Sequence, residues 1–309
     1  MSFAHIPVLP EETIRWLNPQ PGGRYIDGTV GGGGHARLIL AADSEIELLG
    51  IDRDTDALAA AKKCLAPFEG RVHLRRGRFS DLAAFAEELG WEKVDGLLLD
   101  VGVSSHQIDS AIRGFSFRQD GPLDMRMDRR QRLTAATILN SWNETDLKMV
   151  FRTLGEEPRA GAVARAVIRR REQKPFSRTV EFAELLEQVA DKARGRRLPP
   201  PTRCFQALRI AVNGELDELE DALAAGVDIL KPGGRLVVIS FHSLEDRIVK
   251  NAFRDEAKTC VCPPDFPVCR CGKTARLKVL TRKPVTAGDA EIEANSRSGC
   301  ARLRAAERL

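Results

Sequence analysis

Several features common in other protein classes are missing from this 309-residue sequence. No apolar run approaches the roughly 18 residues needed to cross a bilayer, and no basic-then-apolar leader opens the chain, so a cytoplasmic protein with no membrane partner is expected. There is no internal repeat and no low-complexity tract, which argues against a repeat array or a disordered scaffold. The Gly-x-Ser-x-Gly elbow of a serine hydrolase is also absent, so His242, flanked by Ser240 and Ser243, does not point to that chemistry. Without a secretion signal, the seven cysteines read as thiols or metal ligands rather than as a disulfide framework.

At 43% hydrophobic composition the chain can bury a substantial core, and its length suits one large or two ordinary domains. The net charge of +4 is unevenly spread. Residues 106–205 hold 20 Lys+Arg against 13 Asp+Glu, a net of +7, whereas the remainder holds 28 against 31. Arginine dominates this basic third, at 126, 129, 130 and 132, at 169, 170 and 171, and at 194, 196 and 197. Such clustering suits a polyanion partner, and charge alone leaves a solvated helix surface equally open.

The segment Tyr25–His35 runs an apolar strand into five glycines and then a helix-compatible stretch, Ala36–Leu40. Glycines let the backbone turn tightly and approach a ligand, and the helix start aims free N–H groups at the same spot. A second strand, Ile46–Ile51, ends in Asp52, 18 residues after Gly34, where this architecture places a carboxylate for ribose hydroxyls. Gly31, Gly33 and Ala36 match a dinucleotide spacing, but the match begins after Asp27 and Gly28 have already closed the strand. An acid followed by a longer glycine loop is more typical of S-adenosylmethionine sites.

From 24 to 100 strands near 24–27, 46–51, 72–75 and 95–99 alternate with helices near 35–41, 54–65 and 80–89, the pattern of a parallel α/β sheet. Residues 106–205 break this rhythm, with helices expected at 144–154, 160–171 and 179–193 and no good strand. A helical insertion between two parts of one sheet domain, 1–105 and 206–309, is the simplest account. After Pro199–Pro201 an amphipathic helix with apolar positions Leu216, Leu219, Leu223, Val227 and Leu230 precedes a stop at Lys231–Gly234 and a strand at 235–241. Segments 277–285 and 302–306 read as an antiparallel pair at the sheet edge.

Leu97–Ser105 puts Asp100 and a small-residue turn at the carboxyl end of the fourth strand, the edge at which open α/β sheets bind ligands. Asp100 suits the orientation of a substrate amine, and equally a helix N-cap. Phe115 and Phe117, between Arg113 and Arg118, suit base stacking and phosphate contact, and equally the packing of a long loop.

Taken together, Asp27–His35, Ile51–Asp54, Gly77–Ser80, Leu99–Asp109, Arg113–Phe117, Asp120–Asp128, Phe205–Ile210, Val212-Asn213 and Ile239–Arg247 resemble the RsmH (MraW) family. The resemblance runs from His5 to the final strand pair. It implies a Rossmann-like class I methyltransferase sheet with an inserted helical, basic domain that recognises RNA. It also implies S-adenosylmethionine-dependent methylation of N4 of a cytidine in the decoding region of bacterial 16S rRNA, in the small ribosomal subunit, with no DNA partner. Carried over by matching position, the cofactor-binding set is Gly33, Gly34, His35, Asp52, Phe79, Asp100 and Gln107, and the motif around His242 lines the rim where substrate enters. Two positions depart from the pattern: Gly32 stands where some members have arginine, and His106 where proline is frequent, which leaves that loop's path less constrained.

Many amino-group methyltransferases carry Asn/Asp-Pro-Pro-Tyr/Phe after the fourth strand, and this chain has Asp100-Val101-Gly102-Val103 instead, so any stacking aromatic must come from elsewhere. Cys260, Cys262, Cys269 and Cys271 form C-x-C-x6-C-x-C around prolines 263, 264 and 267, either a structural zinc site with short spacing within each pair or a reduced surface loop. A nicotinamide-dependent oxidoreductase and a non-enzymatic RNA-binding module are the rival functions. The first rests on the glycine spacing and Asp52 alone, and the second on the basic insertion.

Overall fold

The computed structural model describes residues 7–189, 200–263 and 268–309. His5, Arg194, Arg196, Arg197, Pro199, Pro264, Pro267 and the expected end of the helix at 193 lie outside the described residues. The chain divides into two compact units, Met1–Gly102 with Leu216–Leu309, and Val103–Glu215.

The first unit is built on seven strands: β1 (Arg24–Asp27), β2 (Glu47–Asp52), β3 (Val72–Arg76), β4 (Val94–Asp100), β5 (Leu230–Ser240), β6 (Leu277–Val279) and β7 (Arg302–Arg308). Their order is β3-β2-β1-β4-β5-β7-β6. Strands β1 to β5 run parallel, and β7 pairs antiparallel with both β5 and β6. The central strands are buried along most of their length, as parallel strands covered on both faces must be.

Successive side chains of a strand point to opposite faces, so each strand feeds two cores. Ile26, Leu49, Ile51, Leu97, Leu99, Leu236 and Val238 pack with the helices Leu82–Glu88, Glu215–Ile229 and Ser243–Glu256. Tyr25, Leu48, Leu98, Val237 and Ile239 pack with the helices Pro10–Leu17, Gly34–Ala41 and Thr55–Cys64. Full burial of each such side chain contributes roughly 1.5–3 kcal/mol, which ties the helices to fixed faces of the sheet.

One local expectation changes. Leu230 belongs to β5, not to the preceding helix, because it pairs with Val94 while Arg235 already pairs with Gly96. Lys231–Gly234 loops out between these two pairings, with Gly233 at φ 83° supplying the left-handed residue the excursion needs.

In the second unit the helices Ala135–Ser141, Glu144–Thr153, Ala160–Gln173, Thr179–Val189 and Pro200–Asn213 share a core that contains Phe151, Phe176, Phe182 and Phe205. The expected boundary at 205/206 falls inside the last of these helices. Cys204, Phe205, Ala207, Leu208 and Val212 are buried in this core, so the whole helix belongs to the inserted unit. The boundary at 105/106 likewise falls within a short helix, Ser105–Asp109, which Ser104 caps. Among the described residues no helix is long and apolar enough to cross a membrane.

The motif-rich loops of the inserted unit hold one another. Asn213, buried, donates from Nδ2 to the Met125 carbonyl at 2.8 Å, and its Oδ1 accepts from the Met127 N–H at 2.8 Å. A Cβ on Gly114 would sit 1.9 Å from the Pro122 carbonyl oxygen, so this backbone approach requires glycine.

Candidate cofactor site

Three neighbouring parallel strands end in carboxylates at one sheet edge: Asp27 closes β1, Asp52 closes β2 and Asp100 closes β4. The strand order reverses between β1 and β4, the switch point at which such sheets open a crevice. The glycine loop after β1 is fastened on both sides. The Gly28 N–H donates to the Leu98 carbonyl at 2.9 Å and the Val30 N–H to the Ile51 carbonyl at 2.9 Å. The Thr29 hydroxyl accepts from the Asp100 N–H at 2.6 Å. Gly31 and Gly33 hold left-handed φ values of 51° and 87°, and Gly33 opens the helix Gly34–Ala41.

Asp52 is positioned by two backbone donors. Its Oδ2 accepts from the Gly31 N–H at 3.0 Å and its Oδ1 from the Asp54 N–H at 2.8 Å. A carboxylate offers about four acceptor sites, so each oxygen keeps one for a further donor. Burial pushes the Asp52 carboxyl up to about 6, with the Asp54 and Gly31 N–H groups pulling the other way. Asp27, fully buried, is pushed up to about 7 by burial and by the Asp100 and Asp52 charges, which His35 partly opposes.

His35 leaves the first turn of its helix and is buried, with Nε2 3.6 Å from Asp100 Oδ2. Among the described residues neither ring nitrogen of His35 nor Oδ1 of Asp100 has a hydrogen-bond partner, although all three atoms are buried. Leaving such a group unmatched costs about 1–3 kcal/mol each. Three of them around one spot fit a polar ligand that brings its own donors and acceptors.

Phe79, expected from its motif to belong to the cofactor set, is held by a partner that no local signal paired with it. The Phe79 N–H donates to Glu218 Oε1 at 2.9 Å, and the Arg53 guanidinium lies 5.9 Å from the ring centroid. Arg53 and Glu218 form a buried ion pair, in which burial raises the Glu218 carboxyl and Arg53 opposes it. The available signal was an acid set beside Leu219 inside the apolar stripe of its helix. Gln107, in the inserted unit, is buried and forms a capping box with Ser104, accepting from the Ser104 N–H at 3.1 Å.

The basic and aromatic candidates separate on inspection. Arg113 is 3% exposed and donates to the carbonyls of Arg126 and Met127, so it ties the loop together and its charge is not presented to phosphate. Phe117 packs edge-on against Phe205 with centroids 5.3 Å apart, and Phe115 lies partly buried on the same core with Arg113 over its ring. Of the arginine triplet, Arg169 is exposed. Arg170 covers the Phe176 ring and donates to the Lys174 carbonyl, and Arg171 donates to the carbonyls of Leu139 and Trp142 at the end of the helix Ala135–Ser141. Arg118, Arg129 and Arg132 are exposed. His242 is not an open rim residue: it caps the helix Ser243–Glu256, with Nε2 2.9 Å from the Oε1 of buried Glu245. The four cysteines come together in the loop before β6.

Sheet order, glycine turn and carboxylate-lined edge define a Rossmann-like class I methyltransferase architecture. The sequence pattern of the MraW methylase family matches residues 2–309, and the chain belongs to that family. It is 55% identical to the ribosomal RNA small subunit methyltransferase H of Oleidesulfovibrio alaskensis, over 99% of this chain and 95% of that protein. The protein of the same name from Carboxydothermus hydrogenoformans is 51% identical, over 100% and 99% of the two chains. That from Geotalea daltonii is 52% identical, over 99% of each.

Proposed function

We propose that this protein transfers a methyl group from S-adenosylmethionine to N4 of a cytidine in the decoding region of 16S rRNA, acting on the small ribosomal subunit in the cytoplasm. The observation that carries the cofactor assignment is the juxtaposition of Asp52, with one free acceptor site on each oxygen, and the orphaned buried atoms of His35 and Asp100. Asp52 accepts from the ribose hydroxyls, Phe79 lies on the adenine side, and Gly33, Gly34 and His35 bind the remainder. Gln107 is the remaining member of the set that the family pattern implies.

When bound, S-adenosylmethionine supplies a methyl group already activated on a sulfonium. The cytidine amine is a weak nucleophile, because its lone pair is delocalised into the ring. Positioning is therefore the protein's main task, and alignment of bound reactants supplies on the order of 7–11 kcal/mol, so no strong general base is needed. Asp100 accepts a hydrogen bond from the N4 amine and turns its lone pair toward the methyl carbon. Forming the N–C bond would break the sulfonium–methyl bond, and the proton shed by the methylated amine would pass to solvent.

The target base must be unstacked to be reached, which favours a folded RNA over duplex DNA. In this reading the inserted unit recognises the RNA, and the exposed Arg118, Arg129, Arg132 and Arg169 contact its phosphates. Thermal protection by S-adenosylhomocysteine, with none by NAD, tests the cofactor assignment. Protection by NAD instead would restore the oxidoreductase reading.

A further inference from the structure

The geometry points to a structural zinc ion held by Cys260, Cys262, Cys269 and Cys271 in the loop between the helix Ser243–Glu256 and β6. The Sγ atoms of Cys262 and Cys269 lie 3.9 Å apart, those of Cys269 and Cys271 3.5 Å, and those of Cys271 and Cys260 3.9 Å. All four lie within 4.8 Å of one another. A tetrahedral ion with Zn–S bonds of about 2.3 Å spaces its sulfurs about 3.8 Å apart, so the cluster already has the dimensions of the coordination shell. Disulfides would draw two pairs to about 2.05 Å and separate them from each other, whereas here the sulfurs converge on one point.

Packing does not account for this convergence. Cys260, Cys269 and Cys271 are exposed, and among the described residues of the segment the large apolar side chains, Val261 and Val268, are 59% and 66% exposed. These described residues bury little apolar surface, and metal ligation supplies the ordering free energy that holds four thiols together. Soft thiolates select zinc over the hard cations.

The backbone is arranged for charged sulfur. The Val261 N–H donates to Cys271 Sγ at 3.4 Å and the Cys262 N–H to Cys260 Sγ at 3.4 Å. Four thiolates around a divalent ion carry a net charge of −2, and Arg270 and Lys273 sit in the same segment to offset it. With four protein ligands the shell is closed, which makes the ion structural rather than catalytic. None of the four cysteines belongs to the proposed cofactor set.

The test is elemental analysis of the full chain, purified without chelator from cells grown with zinc. One zinc per chain is expected, released in step with modification of four thiols. Cobalt substitution should give thiolate-to-metal charge transfer and the ligand-field bands of a four-coordinate ion. Cys262→Ser and Cys269→Ser should each lose the metal while S-adenosylhomocysteine still protects them against melting, which shows that the rest of the protein has folded. A wild-type chain that emerges metal-free with four titratable thiols overturns the proposal, as does iron in place of zinc. So does zinc retained by both serine variants. The wild-type measurement decides the matter even if a variant fails to fold.

Discussion

Replacing Asp52 separates its two jobs, because its oxygens are each half committed to the protein. One acceptor site on each oxygen holds the N–H of Gly31 or Asp54, and one on each remains for a ligand. Asp52→Ala therefore removes two hydrogen bonds from ribose hydroxyls to a charged acceptor, each worth about 1.5–3 kcal/mol. The sum, about 3–6 kcal/mol, corresponds to a loss of roughly 10²–10⁴ in affinity. Asp52→Asn keeps one acceptor oxygen but sets its amide against a backbone N–H, so it should cost about half as much. The titration adds a second signature. With the free carboxyl near 6 and the charged form needed for binding, wild-type affinity should rise as pH goes from 5 to 7 and then level off, up to about tenfold per pH unit below 6. Asp52→Asn should abolish that component. Calorimetry with S-adenosylhomocysteine at several pH values reads both effects. Unchanged affinity in Asp52→Ala, or an unchanged pH slope in Asp52→Asn, would remove Asp52 from the site.

Glu218→Gln and Arg53→Met should weaken S-adenosylhomocysteine binding through misplacement of Phe79, whereas the double variant should recover part of the loss because no buried charge is left alone. Additive losses in a double-mutant cycle would show that the pair acts independently. Arg169→Glu should weaken RNA binding and flatten its salt dependence with cofactor affinity unchanged, since fewer counterions are released; an unaltered salt slope would leave Arg169 as a solvated side chain. Arg171→Ala should instead lower stability by about 1–3 kcal/mol in denaturant titration, through loss of its bonds to the Leu139 and Trp142 carbonyls. Asp27, whose carboxyl is raised by burial, contributes stability that is present below the ordinary carboxylate range and lost as pH rises through about 7. Asp27→Asn should therefore gain melting temperature relative to wild type at pH 8 compared with pH 5, and a pH-independent difference would contradict the assignment.

The parts of the fold that were legible from sequence are those written in local signals. The apolar runs into Asp27, Asp52 and Asp100, and the glycines between β1 and its following helix, specify their own conformations within a few residues. The expectation that His35 and Phe79 belong to the cofactor site came from motif position. The rest depends on partners far apart in the chain. Glu218 meets Phe79 across 139 residues, and no local pattern announces that pairing. Arginines look alike in sequence, yet burial makes Arg113 a clasp for two carbonyls and Arg171 a helix cap, while Arg169 faces solvent. His242 carries a motif that reads as a rim residue, but its Nδ1 accepts from the Glu245 N–H at the start of a helix. The expected limit of the inserted unit at 205/206 falls inside a helix that continues to Asn213, and no local signal marks where one unit gives way to the other.

The most direct test of the central claim is transfer of a labelled methyl group to 16S rRNA in small subunits from a strain lacking this activity, read by mass spectrometry of the digested nucleosides. Wild-type protein should place one methyl group on N4 of a single cytidine in the decoding region. Asp100→Asn should slow single-turnover transfer by roughly 10²-fold or more, the size expected for a misplaced reacting group, while cofactor affinity falls much less. Label on another atom or on no nucleoside at all would contradict the account, and normal transfer by Asp100→Asn at saturating cofactor would remove Asp100 from the reacting centre.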